Sequence, residues 1–238
     1  MRVLGIETSG AVGSVCLAED EKIIAQHTLR ALMGHSRDLV VCLDAVCEQA
    51  GWNPMRDIEL IAVSQGPGSY TGLRVAAACV KAIAYAARCN IVGVCSLDVL
   101  AQNALVAFEK DSRLSDVVDV YVSIDAKRGE VYSGSYERRN TGVERKGDIA
   151  LVAREELLRQ LKPPALLIGD GLADRTELTD AGFMFADRAL WWGRAEVVAR
   201  MGLAAYRAGK REDPLRFTPT YMRQPEAEEK RLKKIGQN

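Results

Sequence analysis

The chain opens with three strand-like segments and then alternates helices with strands, and the same order returns more loosely in its second half. The three strands are predicted at Val3–Glu7, Gly13–Ala18 and Lys22–His27. A helix, a buried strand, a second helix and another strand follow, as their apolar spacing indicates. Mixed sheets with helices on their faces fit such an order. The sequence therefore predicts two similar α/β units that face each other across a cleft.

The two units are predicted to meet at a polar stretch, Lys110–Ser115, which follows a helix. We expect a first lobe over residues 1–110, a second over 111–225 and a charged tail over 226–238. The remaining strands are predicted at Leu60–Ser64, Ile91–Val94, Val118–Asp125, Glu130–Tyr136, Ile149–Val152, Ala165–Gly169 and Gly182–Ala186. The helices are predicted at Ser36–Ala50, Leu73–Arg88, Ser96–Phe108, Glu155–Leu161, Leu172–Thr179 and Arg194–Ala208.

The charge balance excludes a protein that gathers nucleic acid through its overall field. Lys plus Arg and Asp plus Glu number 32 each among 238 residues, so any RNA contact has to be local or indirect. The six cysteines form no C-x-x-C pair and lie in apolar runs, which is typical of free thiols in a reducing cytosol. The first residues read directly as a strand, and no apolar run is long enough to span a bilayer. We therefore expect a cytoplasmic protein without a membrane segment.

A glycine-rich loop between a buried strand and a helix is the most specific local motif. It runs from Ser64 to Arg74, and its candidate anion or nucleotide ligands are Gly66, Gly68, Ser69, Thr71 and Arg74. Glycines allow close approach of a backbone, and amide groups at a helix start can hold an anion. The loop matches neither a Walker A motif nor a dinucleotide fingerprint. A tight turn whose hydroxyl only caps the helix explains it equally well.

Two further segments carry groups that suit chemistry at the ends of strands. Glu7 and Ser9 end the first strand, where a carboxylate could hold Mg²⁺ through water and a turn could face phosphate. An edge carboxylate beside turn serines is the simpler alternative. Asp125–Tyr132 predicts a hairpin tip with two cations between two carboxylates. That tip is either a solvated turn or a contact for a partner or for RNA phosphate.

One helix has apolar surface beyond an ordinary stripe, and the stripe of a second helix could extend it. The helix Leu73–Arg88 is alanine-rich and apolar on most sides, so it has to be buried on most sides. It could lie wholly inside its domain or be shared with a partner, and the apolar stripe of Ser36–Ala50 could extend the same surface. The candidate partner-interface residues are Leu39, Leu43, Val46, Leu73, Ala76, Ala77, Val80 and Ala84.

These motifs together resemble the TsaB-type (YeaZ-like) family, paralogues of the TsaD (Kae-type) proteins in the actin, sugar kinase and Hsp70 (ASKHA) superfamily. The resemblance rests on segments that keep the family order over almost the whole chain: Leu4–Ser9, Gly34–Ser36, Gln65–Arg74, Ser96–Leu97, Ile124–Tyr132 and Pro219–Arg223. It implies a two-lobed, ribonuclease H-like ASKHA fold and a role in making threonylcarbamoyladenosine in tRNA. It also implies pairing through the first two helices with a TsaD-type catalytic paralogue, a TsaE-type small ATPase as further partner, and a homodimer when alone.

The sequence departs from the catalytic paralogues of this family at two places. Those paralogues resemble metal enzymes with two histidines on the first helix, whereas here His35 is followed four residues on by Leu39. The superfamily's first-strand Asp is Glu7. We therefore expect no metal site, no catalytic residue, no tightly bound cofactor, and an accessory subunit whose own tRNA contact is indirect or weak.

Two other functions compete with that interpretation. An independent ATPase or kinase, using ATP and Mg²⁺ in the cleft, is the main alternative, because Glu7, Ser9 and the glycine-rich loop could line a nucleotide site. A peptidase has no support, since the sequence shows neither a paired-histidine metal site nor a Ser/His/Asp order.

Overall fold

The computed structural model describes residues 1–29, 35–140 and 142–223, and these form eleven strands and six α-helices. The predicted tail 226–238 and residue Gly34 lie outside the described residues. The strands are β1 Arg2–Glu7, β2 Gly13–Glu19, β3 Lys22–Leu29, β4 Leu60–Gly66, β5 Asn90–Cys95, β6 Asp119–Asp125, β7 Glu130–Arg139, β8 Gly142–Arg145, β9 Ala150–Ala153, β10 Ala165–Ile168 and β11 Phe183–Phe185. The helices are α1 His35–Ala50, α2 Tyr70–Ala87, α3 Ser96–Ala101, α4 Asn103–Lys110, α5 Arg154–Gln160 and α6 Ala195–Arg207.

The two sheets repeat one topology, which confirms the α/β class and the recurrence predicted from the sequence. The first sheet has the order β3-β2-β1-β4-β5, with antiparallel pairing on one side of β1 and parallel pairing on the other. The second has the order β8-β7-β6-β10-β11 with the same directions, and β9 shares the β7 edge with β8. β1 therefore corresponds to β6, and β4 corresponds to β10. This is the arrangement that an ASKHA-type fold requires.

The first sheet is covered on both faces, which is why β1 and β4 are buried almost throughout. Leu4 and Ile6 of β1 face the core under α1 and α2, whereas Val3 faces α6. The backbone of α6 comes very close to the sheet at Gly5. A Cβ on Gly5 would lie only 2.5 Å from the Ala195 carbonyl oxygen. Small residues at this contact let the helix lie against the strands without displacing them.

Two helices cross between the sheets. α3 follows the first sheet but packs on β6 and β7, and α6 follows the second sheet but packs on β1, β2, β4 and β5. These crossings tie the two halves together through buried contacts. The division into lobes at residue 110 stays a prediction.

Among the described residues, no helix combines the length and the apolar character needed to cross a membrane.

Several element boundaries differ from the sequence prediction. α2 begins at Tyr70 rather than Leu73, because Ser69 caps it by accepting a hydrogen bond from Gly72 N. The single helix predicted over Ser96–Phe108 is wrong, since α3 and α4 are separate helices that meet at Gln102. The helix predicted over Leu172–Thr179 is also wrong, because only a 3₁₀ turn lies there. The third strand of the second sheet is split into β8 and β9, of which β8 was not predicted.

Candidate functional site

The glycine-rich loop lies against the end of β1, and the chain itself fills the space that its glycines leave. Ser69 N donates to the Ser9 carbonyl at 2.7 Å, and Thr8 Oγ1 donates to the Gly72 carbonyl at 2.9 Å. A Cβ on Gly68 would lie 2.4 Å from the Ser9 carbonyl oxygen, and one on Gly72 would lie 2.0 Å from that of Thr8. These glycines are required because a neighbouring backbone lies directly against them. This agrees with the interpretation of the loop as a tight turn rather than an anion site.

Glu7 is completely buried, and its carboxylate bonds only to the chain. The backbone N and the Oγ of Ser9 each donate to Oε1 at 2.6 Å, and Ser64 Oγ donates to Oε2. A Cβ on Gly193 would lie 2.7 Å from Oε2, so this segment closes over the carboxylate. Desolvation by burial raises the pKa of Glu7 above its ordinary value of 4.5, although the hydrogen bonds from Ser64 and Ser9 oppose the shift.

The burial of Glu7 and Ser9 argues against an interpretation in which they face Mg²⁺ or phosphate, and their role at a nucleotide stays a prediction. A carboxylate without solvent access whose oxygens are already bonded does not fit a water-bridged cation. Among the residues that the structure describes, no group of three metal-ligating side chains is found. Thr71 and Arg74 stay exposed at the start of α2, but the amides of Gly66, Ser69 and Gly72 are bonded within the chain. Nucleotide binding at this loop stays a prediction.

A buried amide that the sequence analysis missed holds the segment over Glu7. Asn103 is fully buried on α4, and its Nδ2 donates to the carbonyls of Leu190 and Trp192 at 2.9 and 2.8 Å. Arg194 Nε donates back to Asn103 Oδ1 at 3.2 Å. These bonds fix the chain on either side of Gly193. No local pattern marks Asn103, since its partners are about ninety positions away in sequence.

The corresponding edge of the second sheet is partly exposed, since the Asp125 side chain keeps 21% of its surface accessible. Asp125 ends β6 as Glu7 ends β1, and Asp170 follows β10 and accepts from Asp125 N at 2.9 Å. The Lys127 ammonium lies 2.6 Å from Asp125 Oδ2, and Arg154 lies 3.6 Å from Oδ1. Burial alone would raise the pKa of Asp125, but these cations and hydrogen bonds outweigh it and hold the pKa below its ordinary value. Side-chain cations of the chain thus neutralise this carboxylate.

The tip of the β6–β7 hairpin has an unusual backbone. Lys127, Arg128 and Gly129 have φ angles of 63°, 58° and 75° in succession. The left-handed region costs a non-glycine residue about 1 kcal/mol or more, so two such residues in a row need support from their surroundings. That support includes the bond from Lys127 N to Asp125 Oδ1 at 2.9 Å. The predicted hairpin and its two exposed cations are thus confirmed, whereas a contact with partner or RNA stays a prediction.

The segment Thr218–Arg223, called the strap below, joins the glycine-rich loop to this hairpin. Thr220 N donates to the Gln65 carbonyl at 2.7 Å, and Gln65 Nε2 donates to the Thr218 carbonyl at 3.0 Å. At the other end, Arg223 Nη1 donates to the Ala126 carbonyl at 2.5 Å and pairs with Glu130. The strap therefore bridges the two sheets.

The eight candidate interface residues are placed in the core of their own chain, which corrects the sequence prediction. None is more than 7% exposed, so none can present its side chain to a partner: Leu39, Leu43, Val46, Leu73, Ala76, Ala77, Val80 and Ala84. The physical reason is that they form the two stripes, at spacings of three and four residues, by which α1 and α2 cover the first sheet. Leu39, four residues after His35, is one of these core residues.

The outer side of the same two helices carries a different apolar set, here called the outer ridge: Val40, Val41, Ala78, Ala82 and Tyr85. Val40, Val41 and Tyr85 are 52%, 61% and 73% exposed, and Ala78 and Ala82 are exposed as well. Ala78, Ala82 and Tyr85 follow each other at intervals of four and three, so they lie on one face of α2. The two helices contact each other. The strip of Ala78, Ala82 and Tyr85 is an exposed apolar surface on one face of α2, and contiguous apolar surface commonly marks an interaction site.

Comparison with known proteins places this fold in one family. Residues 28–229 match the family described as TsaD, tRNA N6-adenosine threonylcarbamoyltransferase. The chain is 26% identical over 228 residues to the tRNA threonylcarbamoyladenosine biosynthesis protein TsaB of Escherichia coli, covering 94% of this chain and 95% of the relative. It is 28% identical over 172 residues to TsaB of Bacillus subtilis, 71% of either chain. The fold is that of YeaZ from Pseudomonas aeruginosa, with a TM-score of 0.74, 23% identity, and coverage of 93% of this chain and 99% of that one.

Proposed function

The chain belongs to the TsaD family and is of the TsaB type within it, and from that premise we propose that it is a non-catalytic partner of a TsaD-type transferase. Its part in tRNA threonylcarbamoyladenosine biosynthesis follows from the family. The finer proposal is that it supports, in the cytoplasm, the enzyme that modifies the adenosine beside the anticodon. A TsaE-type small ATPase is the proposed third component, and tRNA contact by this chain is indirect or weak.

The observation that carries the proposal is the outer ridge of α1 and α2. Val41 and Tyr85 are more than half exposed although both are large and apolar, and the alanines Ala78 and Ala82 beside Tyr85 let another helix approach closely. The partner proposed for this surface is the corresponding helix pair of the TsaD-type paralogue, which gives a helical bundle across the interface. A second copy of this chain is the proposed occupant when the paralogue is absent.

Two further observations support an accessory role over catalysis. The family's paired-histidine site needs a ligand where Leu39 lies, and Leu39 is fully buried among apolar side chains. Glu7 is sealed beneath Gly193 and cannot receive a hydrated cation without movement of that segment. The end of β1 is thus poorly suited to Mg²⁺–nucleotide chemistry.

The interface is tested by matched Ala→Arg variants. Ala78→Arg and Ala82→Arg should weaken binding to the TsaD-type partner by at least about tenfold, because a charged side chain then has to be desolvated in the ridge. Ala204→Arg is the control, since Ala204 is exposed on α6 at the opposite face of the sheet. Binding by calorimetry and thermal melts of each variant separate a lost interface from a lost fold. Normal partner binding by both ridge variants would contradict the interface.

An independent ATPase or kinase remains the second candidate, because Thr71 and Arg74 are exposed at the start of α2 and Asp125 is partly exposed at the matching strand end. Calorimetry of the pure chain with ATP and Mg²⁺, followed by a phosphate-release assay, separates the two. Turnover by this chain alone would favour the second candidate and contradict the accessory role.

A further inference from the structure

A groove of about 360 Å³ lies on the outer face of the second sheet, away from the hairpin tip, the strap and the outer ridge. The groove arises because the two sheets, which share one topology, are covered by helices of different length. α1 covers the first sheet with 16 residues, whereas its counterpart α5 has only 7. The third strand is also split, and the chain between β8 and β9 forms one wall of the groove. The second sheet therefore leaves Tyr121 and Ser135 partly exposed on its strands.

The floor of this groove is polar where a covered sheet would be apolar. Ser133 and Ser135 point to the same face of β7 because side chains alternate along a strand, and Tyr121 lies beside them on β6. Ser133 is only 7% exposed as a residue, but its hydroxyl is not among the described buried polar atoms that lack a hydrogen-bond partner, so it is accessible from the groove. The hydroxyls of Tyr121 and Ser135 have no bond to any described residue. Each hydroxyl can both donate and accept a hydrogen bond.

The charges around the groove cancel. Lys146 Nζ lies 2.8 Å from Asp119 Oδ1, and Lys162 and Asp148 supply one further charge of each sign. With two cations and two carboxylates, the groove has no net charge that would attract a multivalent anion or a metal cation. An ion pair at hydrogen-bonding distance is well suited to adjacent hydroxyl groups, since the carboxylate accepts and the ammonium donates. Val152 and Leu157 add an apolar wall.

We propose that this groove binds a small neutral polyol with adjacent hydroxyl groups, of the size of a pentose or hexose. The hydroxyls of Ser133, Ser135 and Tyr121 and the Lys146–Asp119 pair bond to the hydroxyls of the ligand, and its C–H face packs on the apolar wall. The volume lies within the range of roughly 300–1,000 Å³ found for small-molecule sites. The site is separate from the outer ridge, so it goes beyond the proposed function and does not depend on it.

The test is a nuclear magnetic resonance titration of the ¹⁵N-labelled full chain with D-ribose, with D-glucose and, separately, with inorganic phosphate. Either sugar should produce saturable shifts confined to the amides of residues 133–135 and 146–150. Ser133→Val adds a methyl group in the groove and removes the hydroxyl, and it should weaken the sugar affinity by at least about tenfold. Ser115→Val, at an exposed serine of the same lobe, is the matched control and should bind as the unmodified chain does.

Three results would overturn this proposal. They are the absence of saturable shifts with both sugars, saturation of the same amides by phosphate but not by sugar, and unchanged sugar affinity of Ser133→Val. Amide spectra of the variant, which show whether β7 keeps its pairing, ensure that a lost affinity is not a lost fold.

Discussion

Replacing Leu39 and Val41 in turn separates the core side of α1 from its outer ridge. Leu39 is 0% exposed and belongs to the core cluster beneath α1 and α2, whereas Val41, two positions on, is 61% exposed. Leu39→Ala removes three buried carbon atoms, which at about 0.8 kcal/mol each is roughly 2.4 kcal/mol before any cavity is counted. With the cavity term, we expect a loss of about 3 kcal/mol in the free energy of unfolding.

The measurement is thermal and urea unfolding followed by circular dichroism. For a chain of this size, about 3 kcal/mol corresponds to a fall of roughly 6–12 °C in Tm. Val41→Ala should change the free energy of unfolding by less than about 0.5 kcal/mol, because its side chain is mostly in water. The effects on partner binding should be the reverse of the effects on stability. Val41→Ala should weaken binding, whereas Leu39→Ala should bind normally at temperatures well below the Tm of that variant. Unchanged stability of Leu39→Ala together with lost binding would refute this assignment of the two helix faces.

Three other changes test the site. Gly72→Ala places a Cβ 2.0 Å from the Thr8 carbonyl oxygen and should destabilise the chain by about 1–3 kcal/mol in urea unfolding, whereas Thr71→Ala, at an exposed position, should be neutral. Because the pKa of Glu7 is raised in the folded state, the folded chain binds more protons than the unfolded chain between pH 4.5 and that raised pKa. The free energy of unfolding should therefore fall as the pH rises from 4.5 to the folded-state pKa. Glu7→Gln should flatten this slope, and equal slopes would show that Glu7 ionises freely. Arg223→Ala should speed amide hydrogen exchange at the hairpin tip, and unchanged exchange would remove the strap's role there.

The order of elements could be predicted because it depends on local spacing. The strands that became β1, β2 and β4 follow from short apolar runs, α1 follows from its apolar stripe at helical spacing, and α2 follows from its long alanine-rich run. The hairpin around Lys127 and Arg128 was also predicted from its own few residues. Each of these signals is contained in a short window of sequence.

The side of α2 that faces the core could not be predicted, because alanines occur nearly all round the helix. Ala77 and Ala78 are chemically identical, and only the position of the sheet makes one buried and the other exposed. The contacts of Asn103 and Arg223 were missed for a related reason, since each joins segments about ninety positions apart, such as Asn103 with Trp192. Long-range contacts of this kind leave no periodic pattern in the sequence.

The central claim is that this chain acts through the outer ridge as an accessory subunit, and reconstitution tests it most directly. Threonylcarbamoyl transfer to tRNA should be measured for the TsaD-type partner and the TsaE-type ATPase with the unmodified chain, with Ala82→Arg, with Ala204→Arg, or with no added chain. We expect transfer with the unmodified chain and with Ala204→Arg, and little transfer with Ala82→Arg or without the chain. Full transfer in its absence, or transfer by this chain alone, would contradict the claim.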